Sequence, residues 1–455
     1  MEEATTSSTP SKTPSYADRD YRVSKENLYM VIAKHMEEFP VERLDIGEYK
    51  RVGAVLVLPN DMIYAVDSSR NGVHGVARLL MAHQDSLKDC KVFVSRKPCS
   101  LCTRLLVQSK VKRVFYLPIE PEYDYLRPKD DDENDDDFKD ETSRVDELFK
   151  VSSIGQSVFV PRAGEGVTDA AESKTKTPKK DREAKQKYLM ENKFWNDEWL
   201  TVAQLKLPWR AFDDNMRAQV YKDFESITEW MAHVLIKSGE RDSCEALQTT
   251  VKRKKGESFD PCRTDLERWQ AIHLMKLAFF LAERTDDPRK GVGAVIINRD
   301  KDIVGLGWNG FPTKSLYGEF PRPSDKDVPV GSRADKKYRY IIHAEQNALL
   351  LRNTKNIVDS TLIVTMTPCD ECTPLIEMQG IKTVVLGEKM RKDGSRPQMK
   401  FTKFPQRVDD KDDPIVCFEL QKQPQSQKRK ADDDSSGETE EIKSARKHLF
   451  TETET

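Results

Sequence analysis

The 455-residue sequence contains no apolar run of 18 residues. Its best stretch, Leu274 to Ala282, is interrupted by Lys276 and is too short to cross a bilayer. A membrane span is therefore excluded. The opening residues, MEEATTSSTPSKTPSY, lack both a basic start and an apolar core, so no secretory signal is expected. An excess of one charge is also missing, since 75 Lys and Arg against 77 Asp and Glu leave −2. A protein that coats nucleic acid electrostatically needs a strong positive balance, so the composition argues against that class, local patches aside. Hydrophobic residues reach only 37% against 33% charged, with a mean hydropathy of −0.70. The length suits about three domains at roughly 150 residues each, and the polarity assigns part of the chain to tail or linker.

Cysteine is sparse, at eight residues. Four of them form two C-x-x-C pairs, Cys99/Cys102 and Cys369/Cys372; Cys90, Cys244, Cys262 and Cys417 are scattered. Without a secretory signal this pattern reads as metal or redox chemistry in a reducing compartment, and structural disulfides are not expected.

Two segments carry the same order of signals: strand, loop, His on a helix, strand, Pro-Cys-x-x-Cys on a helix, strand. In the first, RVGAVLVL, HGVARLLMAH, KVFVS, CSLCTRLLVQS and RVFYL succeed one another between about 50 and 118. In the second, an amphipathic helix (ERWQAIHLMKLAFFLAERT) precedes GVGAVIIN, DIVGLGW, HAEQNALLLRN, STLIVTM, CDECTPLIEMQ and KTVVLG. Cys99 follows His74 by 25 positions and Cys369 follows His343 by 26. Such near-equal spacing points to an internal duplication. Between the copies lie the acidic run DDDENDDD at 130–137, a Gly/Ala-then-Lys-rich stretch at 161–187, and 194–250, which reads as helices and carries Trp195, Trp199, Trp209 and Trp230.

One His and two Cys suit Zn²⁺, and three protein ligands leave the fourth tetrahedral position open, the layout of a catalytic site. Residues three apart lie about 60° apart on a helix, so Cys369 and Cys372 share one face, and a first turn after Pro368 favours thiolates. His343 and Glu345 are two apart, about 200° around a regular helix, and cannot both face one ion from its middle. His343 is therefore expected at the joint between loop and helix, with Glu345 directed at a water as general acid/base. A lone C-x-x-C would equally serve a structural zinc or a redox pair. H-A-E followed by P-C-x-x-C between strands is the zinc deaminase signature.

On these stretches, together with GWNGFP and TLIVTMTPCDECTPLIEMQGIKTVVL, residues 265–420 resemble the deoxycytidylate (dCMP) deaminase family of the cytidine deaminase superfamily. Residues 50–118 resemble the same superfamily more weakly. The resemblance implies His343, Cys369 and Cys372 as zinc ligands, Glu345 as proton shuttle and Asn309 as the residue that binds the sugar. It also implies His74, Cys99 and Cys102 as the ligand set of the first copy. The fold class it implies is α/β: two three-layer α/β/α domains, each around a mixed five-stranded sheet, joined by helical and disordered linkers. The expected division is a disordered 1–20, a degenerate deaminase-like domain at 21–120, a charged disordered linker at 121–190, a helical connector at 191–264, the catalytic domain at 265–420 and a disordered tail at 421–455.

The first copy departs from the pattern where it matters. His74-Gly75-Val76 puts Val76 where the acid/base belongs, and a valine carries no proton. That copy is read as catalytically silent, a zinc-binding or assembly module within a homo-oligomer, unless another carboxylate such as Asp67 stands in. It also lacks the long loop that separates Asn309 from His343 over residues 310–342. Seven cations against four anions give that loop +3. Arg322, Arg333, Lys337 and Arg339 are candidates to hold a substrate phosphate, although a solvated surface loop would carry the same charges. The expected reaction converts the cytosine of a free nucleotide or nucleoside to uracil with loss of ammonia. An RNA or single-stranded DNA deaminase would use the same site, but it would want a basic channel with aromatic platforms. In the tail, Lys428-Arg429-Lys430 and Arg446-Lys447 resemble a bipartite import signal, which leads to an expected import receptor and a cytoplasmic and nuclear location.

Overall fold

The computed structural model describes residues 23–41, 51–117, 144–162, 179–191, 214–247 apart from 240 and 242, and 259–421 apart from 288–289, 313–319, 324–335 and 393–398. Met1–Lys422 form one compact unit. The second unit, Gln423–Thr455, lies outside the described residues with its basic clusters, as do residues 1–20.

The N-terminal half runs α1 (Lys25–Met36), β1 (Gly53–Val57), β2 (Ile63–Ser68), α2 (Gly75–Ala82), β3 (Lys91–Val94), α3 (Ser100–Ser109), β4 (Arg113–Tyr116) and β5 (Gly155–Val158). Its sheet has the order β2-β1-β3-β4-β5. β1 is antiparallel to β2 and β3, while β3, β4 and β5 are parallel. Next come α4 (Lys179–Leu189), α5 (Asp214–Ser238) and β6 (Ser243–Ala246). The C-terminal half follows with α6 (Asp265–Ala282), β7 (Gly293–Ile297), β8 (Ile303–Trp308), α7 (Ala344–Leu350), β9 (Thr361–Val364), α8 (Cys372–Met378), β10 (Thr383–Leu386), α9 (Lys403–Val408) and β11 (Val416–Gln421). Its sheet is β6-β11-β10-β9-β7-β8, with the same directions as the first plus an antiparallel β6 on the outer edge.

The duplication is exact enough in register to include an irregularity. β1/β2 shifts register between Leu56 and Val57, and β7/β8 does so between Ile296 and Ile297. In both copies a glycine opens the first strand because a helix carbonyl crosses it closely. A Cβ on Gly53 would stand 2.0 Å from the Ala33 oxygen, and one on Gly293 would stand 1.8 Å from that of Ala278. Strands buried on both faces read as continuous apolar runs. Val55 and Val57 face α1, whereas Ala54 and Leu56 face α2 and α3; in the second copy Val295 and Ile297 face α6, and Ala294 and Ile296 face α7 and α8. Helix starts follow the usual chemistry: Ser24 accepts from the Asn27 N–H at 3.2 Å, and Thr264 from that of Glu267 at 3.1 Å.

Two segments differ from the sequence reading. The stretch 121–190, expected as linker, holds a helix over 144–150, strand β5 and helix α4. The connector 191–264 supplies β6, so the second sheet has six strands rather than five. Both strands escaped because GQSV and SCEA are short, polar and partly exposed and carry no β-branched run. The helical reading of 194–250 holds for α5, whose Trp230 is buried against Phe280 at 5.9 Å between centroids; Trp195, Trp199 and Trp209 lie outside the described residues.

The two halves share one apolar core, formed by α1, α4, α5, α6 and the sheet faces that α1 and α6 cover. Within it the His35 and His273 rings stack at 3.8 Å, and the Gln270 side chain donates to the Pro40 carbonyl at 3.0 Å.

Candidate metal centres and active site

Each zinc-type histidine is the last extended residue before a helix. His343 caps α7 with φ −80° and ψ 159°, and His74 caps α2 with φ −60° and ψ 139°. The expected joint is therefore where the structure places it, and Glu345, in the first turn of α7, is 4% exposed. The His343 N–H donates to Gln346 Oε1 at 2.9 Å, which caps α7, and Asn347 Nδ2 donates to the Trp308 carbonyl at 2.6 Å, which ties the helix to β8.

His343 Nδ1 lies 3.3 Å from Cys369 Sγ and 3.2 Å from Cys372 Sγ. His74 Nδ1 lies 3.3 Å from Cys99 Sγ and 3.4 Å from Cys102 Sγ. In each set the three donor atoms fall within 4.8 Å of one another. Zn–S bonds of about 2.3 Å and a Zn–N bond of about 2.0–2.1 Å at tetrahedral angles require N···S separations of about 3.5 Å. Both sets fit Zn²⁺.

Electrostatics separates the groups that bind from the group that moves protons. Hydrogen bonding from Cys372, with further help from His343, brings Cys369 down to about 4 against the opposing effect of burial. Bonding from Cys102 likewise takes Cys99 down to about 5. Burial works against the charge of His343, but the Cys369 thiolate, Glu345 and Glu371 outweigh it and raise that ring to about 9. Burial lifts Glu345 to about 7, only partly offset by His343. A carboxyl poised near neutrality beside three metal donors suits an acid/base.

The N-terminal copy differs at several corresponding places. Val76, 1% exposed, stands where Glu345 stands in the other half. Ser69 takes the position of Asn309: its N–H donates to the Val52 carbonyl at 2.9 Å, as that of Asn309 does to Val292 at 3.1 Å. The Ser69 hydroxyl also accepts from Val52 N at 2.9 Å and Gly75 N at 3.1 Å, drawing α2 onto the strand. Asp67 does not stand in as a base. Its carboxylate meets Arg78 at 3.2 Å and Arg70 at 3.4 Å, and both arginines continue to Asp302 of the other half, at 3.2 and 2.5 Å.

Asn309 is buried and closely engaged. Its Oδ1 accepts from Val292 N at 2.7 Å; its Nδ2 donates to the Lys290 carbonyl at 2.9 Å and to Asp287 Oδ2 at 3.4 Å. The phosphate candidates scatter. Lys337 is buried in an ion pair with Asp287, a correction to its reading as a lid cation. Arg322 lies over the Phe311 ring at 5.1 Å, Arg339 is exposed, and Arg333 falls outside the described residues. Sequence reasoning missed Asp286, Asp287 and Ser69. The Asp-Asp-Pro just ahead of GVGAV was the available signal, an acidic pair in a loop that leads into a buried strand.

Two three-donor zinc sites at helix starts, one of them with a buried carboxyl beside it, define a zinc-type deaminase. Comparison with known proteins agrees. The model described as the cytidine and deoxycytidylate deaminase zinc-binding region matches twice, at residues 32–118 and 269–388. Cytidine and dCMP deaminase domain-containing protein 1 of Danio rerio is 26% identical over 411 residues, 80% of this chain and 83% of that protein. Deoxycytidylate deaminase of Homo sapiens is 36% identical over 123 residues, 27% of this chain and 66% of its own length; that of Mycobacterium phage D29 is 35% identical over 116 residues, 25% and 90%. A solved dCMP deaminase from cyanophage S-TIM5, in complex with dCMP and dUMP, shares 27% identity, with 25% of this chain and 76% of that chain covered and a TM-score of 0.21. The chain belongs to the cytidine and deoxycytidylate deaminase family.

Proposed function

We propose that the C-terminal half deaminates the cytosine of a free deoxycytidine or cytidine nucleotide, of the dCMP type, giving uracil and ammonia. The observation that carries this reading is Glu345, buried beside the three metal donors His343, Cys369 and Cys372. His343, Cys369 and Cys372 would hold Zn²⁺, which when bound supplies a water acidic enough to attack at neutral pH. Glu345 takes a proton from the attacking water and returns protons to N3 of the base and to the departing ammonia. A free nucleotide is favoured over a strand by the relatives that match this half, deoxycytidylate deaminases 35–36% identical to it.

The N-terminal half, with donors His74, Cys99 and Cys102 but Val76 in place of the base, is a non-catalytic zinc module. It lends its α1 face to the catalytic half, a role that a second subunit would otherwise fill. The clusters Lys428-Arg429-Lys430 and Arg446-Lys447 add nuclear access to a cytoplasmic protein; an unchanged distribution after truncation at residue 425 would remove that part.

The test is a panel of cytidine, deoxycytidine, dCMP, dCTP and cytosine-containing oligonucleotides, run with the wild type and with Glu345→Ala. Ammonia release from dCMP that disappears in the variant supports the reading. Turnover confined to oligonucleotides would transfer the protein to the polynucleotide class.

A further inference from the structure

Arg241, two residues ahead of β6, is 7% exposed, and among the described residues its Nε and Nη1 have no hydrogen-bond partner. Its guanidinium lies over the Phe279 ring of α6, 5.2 Å from the centroid. A cation–π contact steadies the group but satisfies none of its N–H donors. Burial pulls its pKa down to about 10, and Glu388 opposes this only in part. A buried charge is costly unless it is paired and hydrogen-bonded. We propose that Arg241, with Lys290 and Arg391, forms the subsite for the phosphate of the substrate nucleotide. This rests on the reading of the C-terminal half as the deaminase.

The surrounding contacts place this group at one edge of the sheet. Lys290, in the loop entering β7, bonds Glu388 at 3.3 Å and lies 3.4 Å from Met366 Sδ, while its carbonyl accepts from Asn309 Nδ2 at 2.9 Å. Arg391 meets Glu388 at 2.8 Å, and its N–H donates at 3.0 Å to Thr367 Oγ1, two residues before the donor Cys369. Glu388 follows Gly387 at the carboxyl end of β10. A Cβ on Gly387 would stand 2.7 Å from the sulfur of Met275, one turn before Phe279 on α6. Arg241 therefore stands at the carboxyl ends of β9 and β10, the edge that also carries Cys369. In an open α/β sheet, ligands bind outside that edge.

The charges suit a phosphate. Arg241, Lys290 and Arg391 against Glu388 leave +2, and a phosphate monoester carries about −1.5 to −2 at neutral pH. The Lys290 side chain is 52% exposed and that of Arg391 28%, so an anion can reach them from solvent, with Arg241 at the buried end. The N-terminal half solves the same problem internally. Lys34 on α1 matches Phe279 on α6, since each follows the alanine whose carbonyl crosses the first strand. Lys34 is 3% exposed, but Glu37 bonds it at 2.6 Å and also lies 3.3 Å from Arg96. Arg241 has no such carboxylate within ion-pair distance among the described residues. It also lies outside both matched segments, 32–118 and 269–388, and so belongs to this chain's connector rather than to the shared zinc-binding region.

The test uses the full-length, zinc-loaded chain with Arg241→Met and Arg241→Lys. Melting temperature is read with and without inorganic phosphate, and kcat and KM with dCMP and deoxycytidine. Without phosphate, Arg241→Met should melt at or above the wild-type temperature, because no unpartnered buried charge remains. A fall would make Arg241 a structural cation over Phe279 and overturn the proposal. Phosphate should raise the melting temperature of the wild type and not that of Arg241→Met. The ratio of kcat/KM for dCMP to that for deoxycytidine should drop about ten- to a hundredfold in Arg241→Met, the loss of one hydrogen bond to a charged group. Arg241→Lys, which keeps the charge, should recover most of that ratio. An unchanged ratio, or equal losses on both substrates, overturns the proposal. Inorganic phosphate should compete with dCMP; a melting shift without such competition would put a free anion at Arg241 instead of the substrate and overturn it as well. A wild type that deaminates no free nucleotide sinks the substrate reading. The melting shift needs no turnover and decides the site separately: its loss in Arg241→Met supports the phosphate contact, and its absence in the wild type overturns it.

Discussion

At the scale of single residues, the difference between Glu345 and Val76 separates two nearly identical donor sets. The donor distances in the two sites agree within 0.2 Å, from 3.2 to 3.4 Å, so metal affinity and proton transfer are set by different residues. Glu345→Ala should therefore retain zinc while turnover falls by about 10²–10⁴ or more, the usual cost of losing a general acid/base. Metal analysis alongside ammonia release checks this, and zinc loss equal to the activity loss would place Glu345 among the ligands. Restoring Glu at position 76 alone would not restore a site, because Ser69 has replaced Asn309 and ties Gly75 to the strand. The two donor clusters were legible in the sequence because the identities and spacing of the His and Cys residues carry the chemistry. The Asp287–Lys337 pair was not, because a lysine in a cationic loop and an aspartate fifty positions away show nothing of their burial.

At the scale of elements, the position of α7 determines where His343 and Glu345 sit. β8 can lie under it only because Gly305 and Gly307 have no side chain. A Cβ on Gly307 would stand 2.2 Å from the Ala344 oxygen and 2.4 Å from Ala348 N, both backbone atoms. Gly307→Ala should push the first turn of α7 away from Cys369, lowering both zinc content and turnover by about tenfold or more. Metal content per chain after dialysis measures it, and full zinc occupancy with full activity would show that α7 can shift without cost. The repeated strand–helix order was readable because double-sided burial leaves continuous apolar runs such as GAVII. β5 and β6 were not, because an edge strand with one exposed face and little β-branched content gives no periodic signal. Their place follows from ladder pairing to β4 and β11, a long-range property.

At the scale of the whole molecule, the helix layer between the two sheets makes the halves interdependent. An ordinary surface helix buries one stripe and leaves the opposite face to water. α1 buries ten of its twelve residues, and Leu28, Tyr29, Met30, Val31, Ile32, Ala33 and Met36 are each at most 1% exposed. α6 buries twelve of eighteen. Such helices cannot be satisfied by their own sheet alone; each uses the other half, with α4 and α5, as its second wall. Exposing a buried side chain of this size costs about 1.5–3 kcal/mol, and domains are stable by only about 5–15 kcal/mol. Losing the contacts of a few residues on the α6 outer face is therefore enough to unfold a half that carries the complete catalytic set. A fragment spanning 259–421 should be insoluble or molten, with no sharp melting transition and no turnover. Co-expression with a fragment covering 1–258 should restore both, because the missing wall and strand β6 are then supplied from a separate chain. The N-terminal donor site would share in that rescue: His74→Ala in the partner fragment should weaken it by loosening α2 and α3, although the residue lies in the half with Val76 at the position of Glu345. A monodisperse, active 259–421 fragment would show that the C-terminal half needs no second wall and that the N-terminal copy serves some other end.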